Sequence, residues 1–407
     1  MKIKKYTLQE LKNAKGILLY GAGAWGKLVL ETLQTDVLNG GDRSIDVPIL
    51  FIDRMKTGTG IIKKEEIRNY PDYDILICAP SAYDEIVNEL YVLNDGNMDH
   101  VYEISEILKS PKPKTFVNVH DRLCGELLLE KYDYYKNRSN TVNDSESMVL
   151  PFLGISVTER CSLNCEKCIA LMPYYQKPNN FCFMHNLPAL ERLVKSVDKI
   201  LEVGFLGGEV FMHNGFAEFL EWAINQEKIK SITVLTNSTI IPNKKEIELL
   251  KNDKVIFGID DYGNLSLKME ELIEIAKAEQ IKYYVLSNED WQDLGDTTRN
   301  NYSEEKRNKI FNNCSFKDCH LFLNGKLYRC QRQAHLTNLG FCESIQDDYV
   351  DYTIEKGADE FREDLKKLLQ ERKYALAACD FCKDITMHIN RIPAAEQRIP
   401  FVEKGED

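Results

Sequence analysis

The chain has 407 residues, of which 43% are hydrophobic and 29% charged, and its formal net charge at pH 7 is −12. This length predicts two or three domains with a sizeable core. The acidic balance gives no support to nucleic-acid binding, which leaves a basic footprint. No segment approaches the ~20 apolar residues of a membrane span, and no apolar run of a secretory signal follows the first residues. We therefore expect a cytoplasmic protein.

The first part of the chain, residues 1–110, alternates short apolar runs with helical patterns. This alternation predicts a small parallel α/β unit. Its strands are expected at residues 16–20, 48–52, 74–78 and 101–104.

A glycine pattern separates the first strand from the first helix. Gly21, Gly23 and Gly26 form a GxGxxG loop, and Asp53 ends the second strand. Such glycines allow a tight turn and the close approach of a phosphate, while Asp53 is placed for a ribose or base edge. The unit is similar to Rossmann-like modules of sugar-modifying and glycan-assembly enzymes, some of which hold nucleotide-sugars. A packing module, whose glycines serve only the turn, is the alternative.

Two further domains are predicted after a linker, which spans residues 111–148 and contains one helix at 121–135. The β/α alternation resumes over residues 149–305, and residues 306–407 follow a different pattern that ends in a charged, frayed segment. A β-hairpin at 319–330 is expected to turn at Asn324–Gly325. The strands expected in this half lie at residues 153–158, 200–206, 232–236, 255–260 and 282–286, and a helix is expected at 361–372.

Eight of the twelve cysteines fall into three tight groups, at positions 161/165/168, 314/319/330 and 379/382. In a large cytosolic chain such grouping indicates metal binding or catalysis rather than disulfides. The other four are expected to be unligated, buried thiols, and they are Cys78, Cys124, Cys182 and Cys342.

The first group has the spacing CxxxCxxC and follows a predicted strand. Cys161, Cys165 and Cys168 are spaced closely enough to wrap a single metal site, and a structural zinc would normally need a fourth Cys or His nearby. Three thiolates on one loop favour an iron–sulfur cluster with one open iron. A zinc knuckle or chance spacing is the alternative.

The end of the next strand adds Gly207, Gly208 and Glu209 to this loop. The two motifs together resemble the signature of the radical S-adenosylmethionine (SAM) superfamily. The resemblance implies a partial (β/α)6 barrel over residues 149–305 and a [4Fe–4S] cluster on the three cysteines. Its fourth iron would chelate SAM, and the Gly-Gly-Glu edge would contact the SAM amino group.

Two later strands end in polar side chains, Asn237 and Asp260. In open α/β sheets ligands bind beyond the carboxyl ends of the strands. The resemblance implies that these edges contact the SAM ribose and carboxylate, and helix capping is the alternative for both residues.

The later cysteine groups resemble the twitch/SPASM extension of radical SAM enzymes, with the pattern CxnGxxxxC followed by CxxC. The further cysteine run of a full SPASM region is absent, which implies one auxiliary [4Fe–4S] cluster. Five thiols compete for four positions. Cys330, Cys379 and Cys382 are expected ligands, family spacing favours Cys314 as the fourth, and pairing across the hairpin favours Cys319. A zinc ribbon is the alternative.

The resemblance implies that a 5′-deoxyadenosyl radical abstracts hydrogen from the substrate after electron delivery by a flavodoxin- or ferredoxin-type reductant. Segments 171–175, 260–263 and 325–332 resemble radical SAM proteins found with polysaccharide genes, which implies a sugar or nucleotide-sugar substrate. Epimerisation, dehydrogenation and elimination stay open. Arg329, Arg332 and His335 are placed either to meet a phosphate or on a solvated surface.

The sequence is also compatible with two other classes of protein. The first is a SPASM-type enzyme that matures peptides, whose usual leader-binding domain is not apparent in the sequence. The second is an NAD-dependent or non-catalytic Rossmann protein with a structural metal.

Overall fold

A computed structural model describes residues 3–38, 47–54, 58–109, 125–137, 147–288, 290–314, 316–317, 319–343, 345–369, 375–383 and 391–398. The chain divides into two compact units, residues 1–145 and 146–407. Both have a mixed α/β architecture with parallel sheets, as the sequence predicted. Most of the predicted linker lies outside the described residues, apart from a helix at Gly125–Lys136. Within the described part of the chain, no helix is both long and apolar enough to cross a membrane.

The first unit contains a parallel sheet of six short strands in the order β1-β6-β5-β2-β3-β4. The strands are β1 Lys4–Lys5, β2 Ile17–Tyr20, β3 Ile49–Ile52, β4 Ile61–Ile62, β5 Asp74–Ile77 and β6 Val101–Glu103. The helices are α1 Leu8–Leu11, α2 Ala24–Leu38, α3 Tyr83–Leu93 and α4 Gly125–Lys136. Strand β2 is fully buried because both its faces are covered, which explains its unbroken apolar sequence.

The second unit is built on an eight-stranded sheet, in the order β13-β12-β11-β10-β8-β15-β16-β17. In this order, neighbouring strands from β13 to β15 pair in parallel, and the pairs β15–β16 and β16–β17 are antiparallel. The strands of this unit are β7 Val149–Leu150, β8 Leu153–Thr158, β9 Lys199–Ile200, β10 Val203–Gly207, β11 Ile232–Thr236, β12 Val255–Asp261, β13 Tyr283–Ser287, β14 Asp290–Gln292, β15 Leu321–Leu323, β16 Lys326–Tyr328, β17 Tyr349–Asp351 and β18 Arg391–Pro393.

The helices of the second unit include the crossovers that parallel pairing requires. They are α5 Phe183–Ser196, α6 Phe216–Asn225, α7 Lys244–Leu250, α8 Met269–Ala278, α9 Glu304–Asn312, α10 Gln331–Asn338 and α11 Ala358–Leu369. Because β8 and β10 to β13 are parallel, their carboxyl ends meet at one edge of the sheet. That edge carries the first cysteine group and the polar strand ends.

One expected strand, at 200–206, is divided into β9 and β10. Glu202 lies at the division and is buried, and its carboxylate accepts a hydrogen bond from Thr233 Oγ1 at 3.0 Å. Ile200 pairs outside the large sheet, with Leu150. The buried carboxylate and the separate pairing explain why one apolar run forms two strands.

The hairpin turns at Asn324 and Gly325, whose φ angles are 47° and 82°. Two successive residues with positive φ are typical of the two-residue Asn-Gly turn. The ladder spans Leu321 to Tyr328 and is therefore shorter than the predicted 319–330. Because β15 pairs with β8, the hairpin continues the sheet that carries the first cysteine group.

Strand β18 lies near the end of the described chain. Residues 391–398 are ordered against other parts of the second unit, since β18 pairs with β14 and the main chain then bonds to the cysteine loop. The sequence did not predict this pairing, because the partner of this segment is distant in sequence. Residues 399–407 lie outside the described part.

Candidate active site

The CxxxCxxC loop begins directly after β8, at the carboxyl edge of the parallel sheet. Burial, with smaller contributions from the neighbouring Cys168 and Cys165, raises the pKa of Cys161 to about 12. Burial also raises the pKa of Cys165 to about 11, with a contribution from Cys168. The three thiols therefore share one electrostatic environment. Buried thiols that oppose each other's ionisation suit a cationic occupant, because a bound metal deprotonates its thiol ligands.

The two glycines of the Gly-Gly-Glu motif allow β10 to approach the cysteine loop. Gly207 has φ +130°, and a Cβ there would lie 2.3 Å from the carbonyl oxygen of Thr158. At Gly208 a Cβ would lie 1.9 Å from the carbonyl oxygen of Arg160. The Gly208 N–H donates to the carbonyl oxygen of Thr158, with an N–O distance of 3.0 Å. The space that these glycines leave is thus taken by the protein's own backbone.

Glu209 connects the ends of two neighbouring strands. Its carboxylate accepts hydrogen bonds from Asn237 N at 2.8 Å and from Thr236 Oγ1 at 3.0 Å. The residue is 1% exposed, and burial raises its pKa to about 7 in spite of these donors. The carboxyl group therefore orders the strand edge through protein donors, and a ligand ammonium would have to share the carboxylate oxygens with those donors.

Asn237 reaches the first cysteine itself. Its Nδ2 lies 3.6 Å from Cys161 Sγ and donates to Ser162 Oγ at 3.1 Å. The helix after β11 is capped by Asn243, so the capping alternative for Asn237 is wrong.

Asp260 lies at the end of β12 and accepts a hydrogen bond from Asn288 Nδ2 at 3.1 Å. The following helix α8 has Lys268 at its N-cap, so Asp260 is not a helix cap either. Tyr262 belongs to the segment 260–263 singled out in the sequence, but it was not predicted as a site residue. Its hydroxyl donates to Asp260 at 3.4 Å, and burial, Asp260, Cys165 and Cys168 raise its pKa well above the usual range. Its position two residues past a polar strand end is the sequence signal that was available.

Gln397 also belongs to the site, and no sequence signal identified it. Its Nε2 donates to Cys165 Sγ at 3.3 Å across 232 positions of the chain. A contact between residues this far apart in the sequence is created by the tertiary fold alone.

The second cysteine site is a cavity between α9, α10 and the segment 375–383. Four of the five candidate thiols line it, namely Cys314, Cys330, Cys379 and Cys382. The remaining lining is mostly apolar and comes from Ile169, Leu294, Ile310, Phe311, Phe316, Lys317, Gln331, Arg332, Leu376, Ala378 and Lys383. Burial raises the pKa of all four thiols.

Cys319 is not part of the cavity lining. The hairpin ladder ends at Leu321 and Tyr328, so Cys319 and Cys330 are not a ladder pair. The geometric argument for Cys319 therefore fails, because it assumed a longer ladder.

The described residues include no group of three or more His, Cys, Asp or Glu side chains arranged to hold a single metal ion. Iron–sulfur clusters at both cysteine sites stay predictions, and the thiol donor sets fit them.

Three polar residues after the hairpin are buried, so the solvated-surface alternative for them is wrong, and the phosphate alternative stays untested. Arg329 is 1% exposed and donates to the carbonyl oxygen of Leu368. His335 is fully buried, and burial lowers its pKa to about 3. Arg332 is 2% exposed, and its guanidinium partly offsets the rise that burial causes in the pKa of the Cys330 thiol.

The remaining cysteines divide by exposure. Cys78 and Cys342 are buried as expected, but Cys182 is exposed because it immediately precedes helix α5 at the surface. Cys124 lies outside the described residues.

In the first unit the glycine loop has two different kinds of glycine. Gly21 has φ +115°, and a Cβ at Gly26 would lie 2.0 Å from the Gly21 carbonyl oxygen, so helix packing requires Gly26. A Cβ at Gly23 would have no neighbour within 4 Å among the described residues. Asp53 accepts a hydrogen bond from Ala22 N at 2.9 Å and is thereby joined to the loop.

A parallel α/β sheet whose strand β8 leads into a CxxxCxxC loop, with a Gly-Gly-Glu strand end packed on that loop, is the arrangement that the resemblance to the radical SAM superfamily implies. The sequence comparisons support that resemblance. Curated relatives of the chain include the GTP 3′,8-cyclase of Clostridium acetobutylicum, which is 27% identical over 150 residues, 31% of this chain and 47% of that protein. The GTP 3′,8-cyclase of Alkaliphilus oremlandii is 28% identical over 110 residues, 26% of this chain and 33% of that protein. The chain thus spans less than half the length of either relative.

No protein-family model matches the sequence. Among solved structures, BtrN in complex with AdoMet and 2-DOIA has 14% identity and a TM-score of 0.34, and the match covers 54% of this chain and 89% of BtrN. A tagged form of anSMEcpe with bound AdoMet has 11% identity and a TM-score of 0.37, and the match covers 59% of this chain and 81% of that protein. These values are too low to support a conclusion about this chain.

Replacing Gly208 by Ala should displace the cysteine loop, because the added methyl group would meet the Arg160 carbonyl oxygen at 1.9 Å. We expect a loss of stability of about 1–3 kcal/mol, typical of overpacking, and a loss of iron after anaerobic reconstitution. Gly23→Ala is the matched control, with an expected change within about 0.5 kcal/mol. Thermal unfolding and iron analysis measure both variants, and an unchanged Gly208→Ala protein would contradict the packing argument.

Proposed function

We propose that Cys161, Cys165 and Cys168 hold a [4Fe–4S] cluster and that the chain is an enzyme of radical SAM chemistry. The observation that carries the proposal is the convergence of these thiols at the carboxyl edge of the sheet. The adjoining strand ends offer the SAM site, at Gly207, Gly208, Glu209, Asn237 and Asp260. A reduced cluster bound there would supply the electron for cleavage of SAM to methionine and a 5′-deoxyadenosyl radical.

The residues around the site position these groups and exclude water. Glu209 and Thr236 order the strand edge, and Asn237 donates toward Cys161 Sγ. Tyr262 lies near Cys165 and Cys168, which contribute to the rise in its pKa. The hydrogen-abstracting radical would therefore form in a sheltered environment.

Replacing Cys161, Cys165 and Cys168 together by Ala should remove one cluster and leave the second cysteine site intact. In a two-cluster protein the iron per chain should fall by about half, and 5′-deoxyadenosine formation should cease. Iron analysis and chromatography of anaerobic reactions with SAM and reductant measure these outcomes. Unchanged iron would overturn the assignment.

The second site is proposed to hold an auxiliary [4Fe–4S] cluster on Cys314, Cys330, Cys379 and Cys382. The support for this set is that the four thiols line one cavity. An apolar lining suits a cluster, since burial and low solvent access are among the determinants of cluster potential. A structural zinc on the same thiols is the alternative outcome.

The two cysteines that compete for the fourth position give a direct test. Cys314→Ser should remove the auxiliary cluster because its thiol lines the cavity, whereas Cys319→Ser should leave the iron content unchanged. Iron, zinc and acid-labile sulfide analysis of both proteins distinguishes the assignments. The reverse pattern would make Cys319 the ligand, and zinc in place of iron would make the site a zinc ribbon.

We further propose a sugar or nucleotide-sugar as the substrate, with residues 1–110 as its nucleotide-binding unit. The support is the GxGxxG loop between β2 and α2 and the open space next to Gly23. A diphosphate approaches backbone N–H groups at such a helix start. Asp53 already bonds to Ala22 N, so a ligand would compete with or extend that hydrogen bond. A flavodoxin- or ferredoxin-type protein is the proposed reductant.

A Val side chain at Gly23 should weaken nucleotide-sugar binding strongly, because it would occupy the space that a diphosphate needs. Folding and uncoupled SAM cleavage should be unaffected, since the site is open in the structure. Calorimetry of the full chain with UDP-, dTDP- and GDP-sugars and with NAD measures binding. Binding of none of them would favour a packing module, and binding of NAD alone would favour the dehydrogenase alternative.

A further inference from the structure

Residues 391–398 pack against the CxxxCxxC loop. Strand β18 pairs with β14, and the chain then runs antiparallel to the cysteine loop. The Glu166 N–H donates to the Glu396 carbonyl at 2.8 Å, and the Arg398 N–H donates to the Asn164 carbonyl at 2.7 Å. These main-chain hydrogen bonds hold the segment in register with the loop, so the side chain between them has a defined position.

That side chain is Gln397, and its amide makes two different contacts with the loop. Its Oε1 accepts a hydrogen bond from Asn164 N at 2.8 Å. Its Nε2 donates to Cys165 Sγ at 3.3 Å and to the Ala395 carbonyl at 2.7 Å. The orientation of the amide follows from its partners, because a backbone N–H requires an acceptor and a carbonyl requires a donor. The NH2 group is therefore directed at the thiol.

We propose that Gln397 is a positioning residue that sets the reduction potential of the cluster on the CxxxCxxC loop. The inference rests on the proposed function, in which Cys165 is a thiolate ligand. An N–H donor stabilises the more negative, reduced form of a cluster, and hydrogen bonds to its sulfurs are one of the determinants of potential. Asn237, at 3.6 Å from Cys161 Sγ, supplies a weaker contact of the same kind on another ligand.

Two substitutions separate the hydrogen bond from the other roles of this residue. Gln397→Glu keeps an acceptor for Asn164 N but removes the donor to Cys165. Gln397→Leu introduces no charge and removes both the acceptor for Asn164 N and the donor to Cys165. Glu396→Gln is the control, because it changes the charge of the adjacent side chain and leaves the donor in place.

The experiment is an EPR-monitored redox titration of the anaerobically reconstituted full chain. The signal that changes on addition of SAM is followed, and the variant without Cys161, Cys165 and Cys168 identifies the auxiliary signal. We expect both Gln397 variants to retain the SAM-responsive signal at a more negative midpoint potential than the wild type, while Glu396→Gln is unchanged.

The possible failures are distinguishable. A wild-type protein without a SAM-responsive signal would contradict the proposed function itself. Wild-type potentials in both Gln397 variants would overturn the inference. A shift in the Glu variant alone would also overturn it, since charge rather than the hydrogen bond would then be responsible. Loss of the cluster from both variants would also overturn it, because Gln397 would then be needed to hold the loop rather than to set its potential.

Discussion

The close packing of the β10 end against the start of the cysteine loop is the constraint on which the site depends. Only glycine fits at positions 207 and 208, because a side chain at either would meet the backbone of Thr158 or Arg160. The same contact joins Glu209 to the start of the loop, since the Glu209 N–H donates to the Arg160 carbonyl oxygen at 2.9 Å. The thiols, the buried carboxyl group and Asn237 consequently lie at one edge.

Burial gives this edge its chemical character. Thiols, a carboxyl group and a phenol lie close together, and burial raises the pKa of each and so disfavours its charged form. A metal cluster reverses this preference for the thiols, since it binds them as thiolates. In the proposed function, the same residues that oppose each other's ionisation would become ligands and neighbours of a bound cluster.

The two cysteine sites are connected through the sheet and through one arginine. Strand β15 pairs with β8, so the hairpin that leads to Cys330 is bonded to the strand that leads to Cys161. Burial raises the pKa of Cys168, Cys330 and Cys382, and the guanidinium of the buried Arg332 partly offsets that rise in all three. A permanent positive charge near thiols of both sites favours their thiolate forms and so favours metal binding at each.

The sequence by itself determined the α/β architecture, the strands β8, β11, β12 and β13 to within a residue or so, and the loop that carries the first cysteines. These features are local, because strand periodicity, glycine turns and cysteine spacing are written in consecutive residues. The division of residues 200–206 was missed since a buried Glu202 acts through Thr233, a partner on another strand.

Only the tertiary structure decided which distant residues complete the sites. It separated Cys314 from Cys319 by the cavity they do or do not line, and it brought Gln397 to Cys165 across 232 positions. It also showed that Arg329, Arg332 and His335 are interior residues. The physical reason is the same in each case: burial and contact at these residues depend on segments far away in the chain, and no local pattern encodes them.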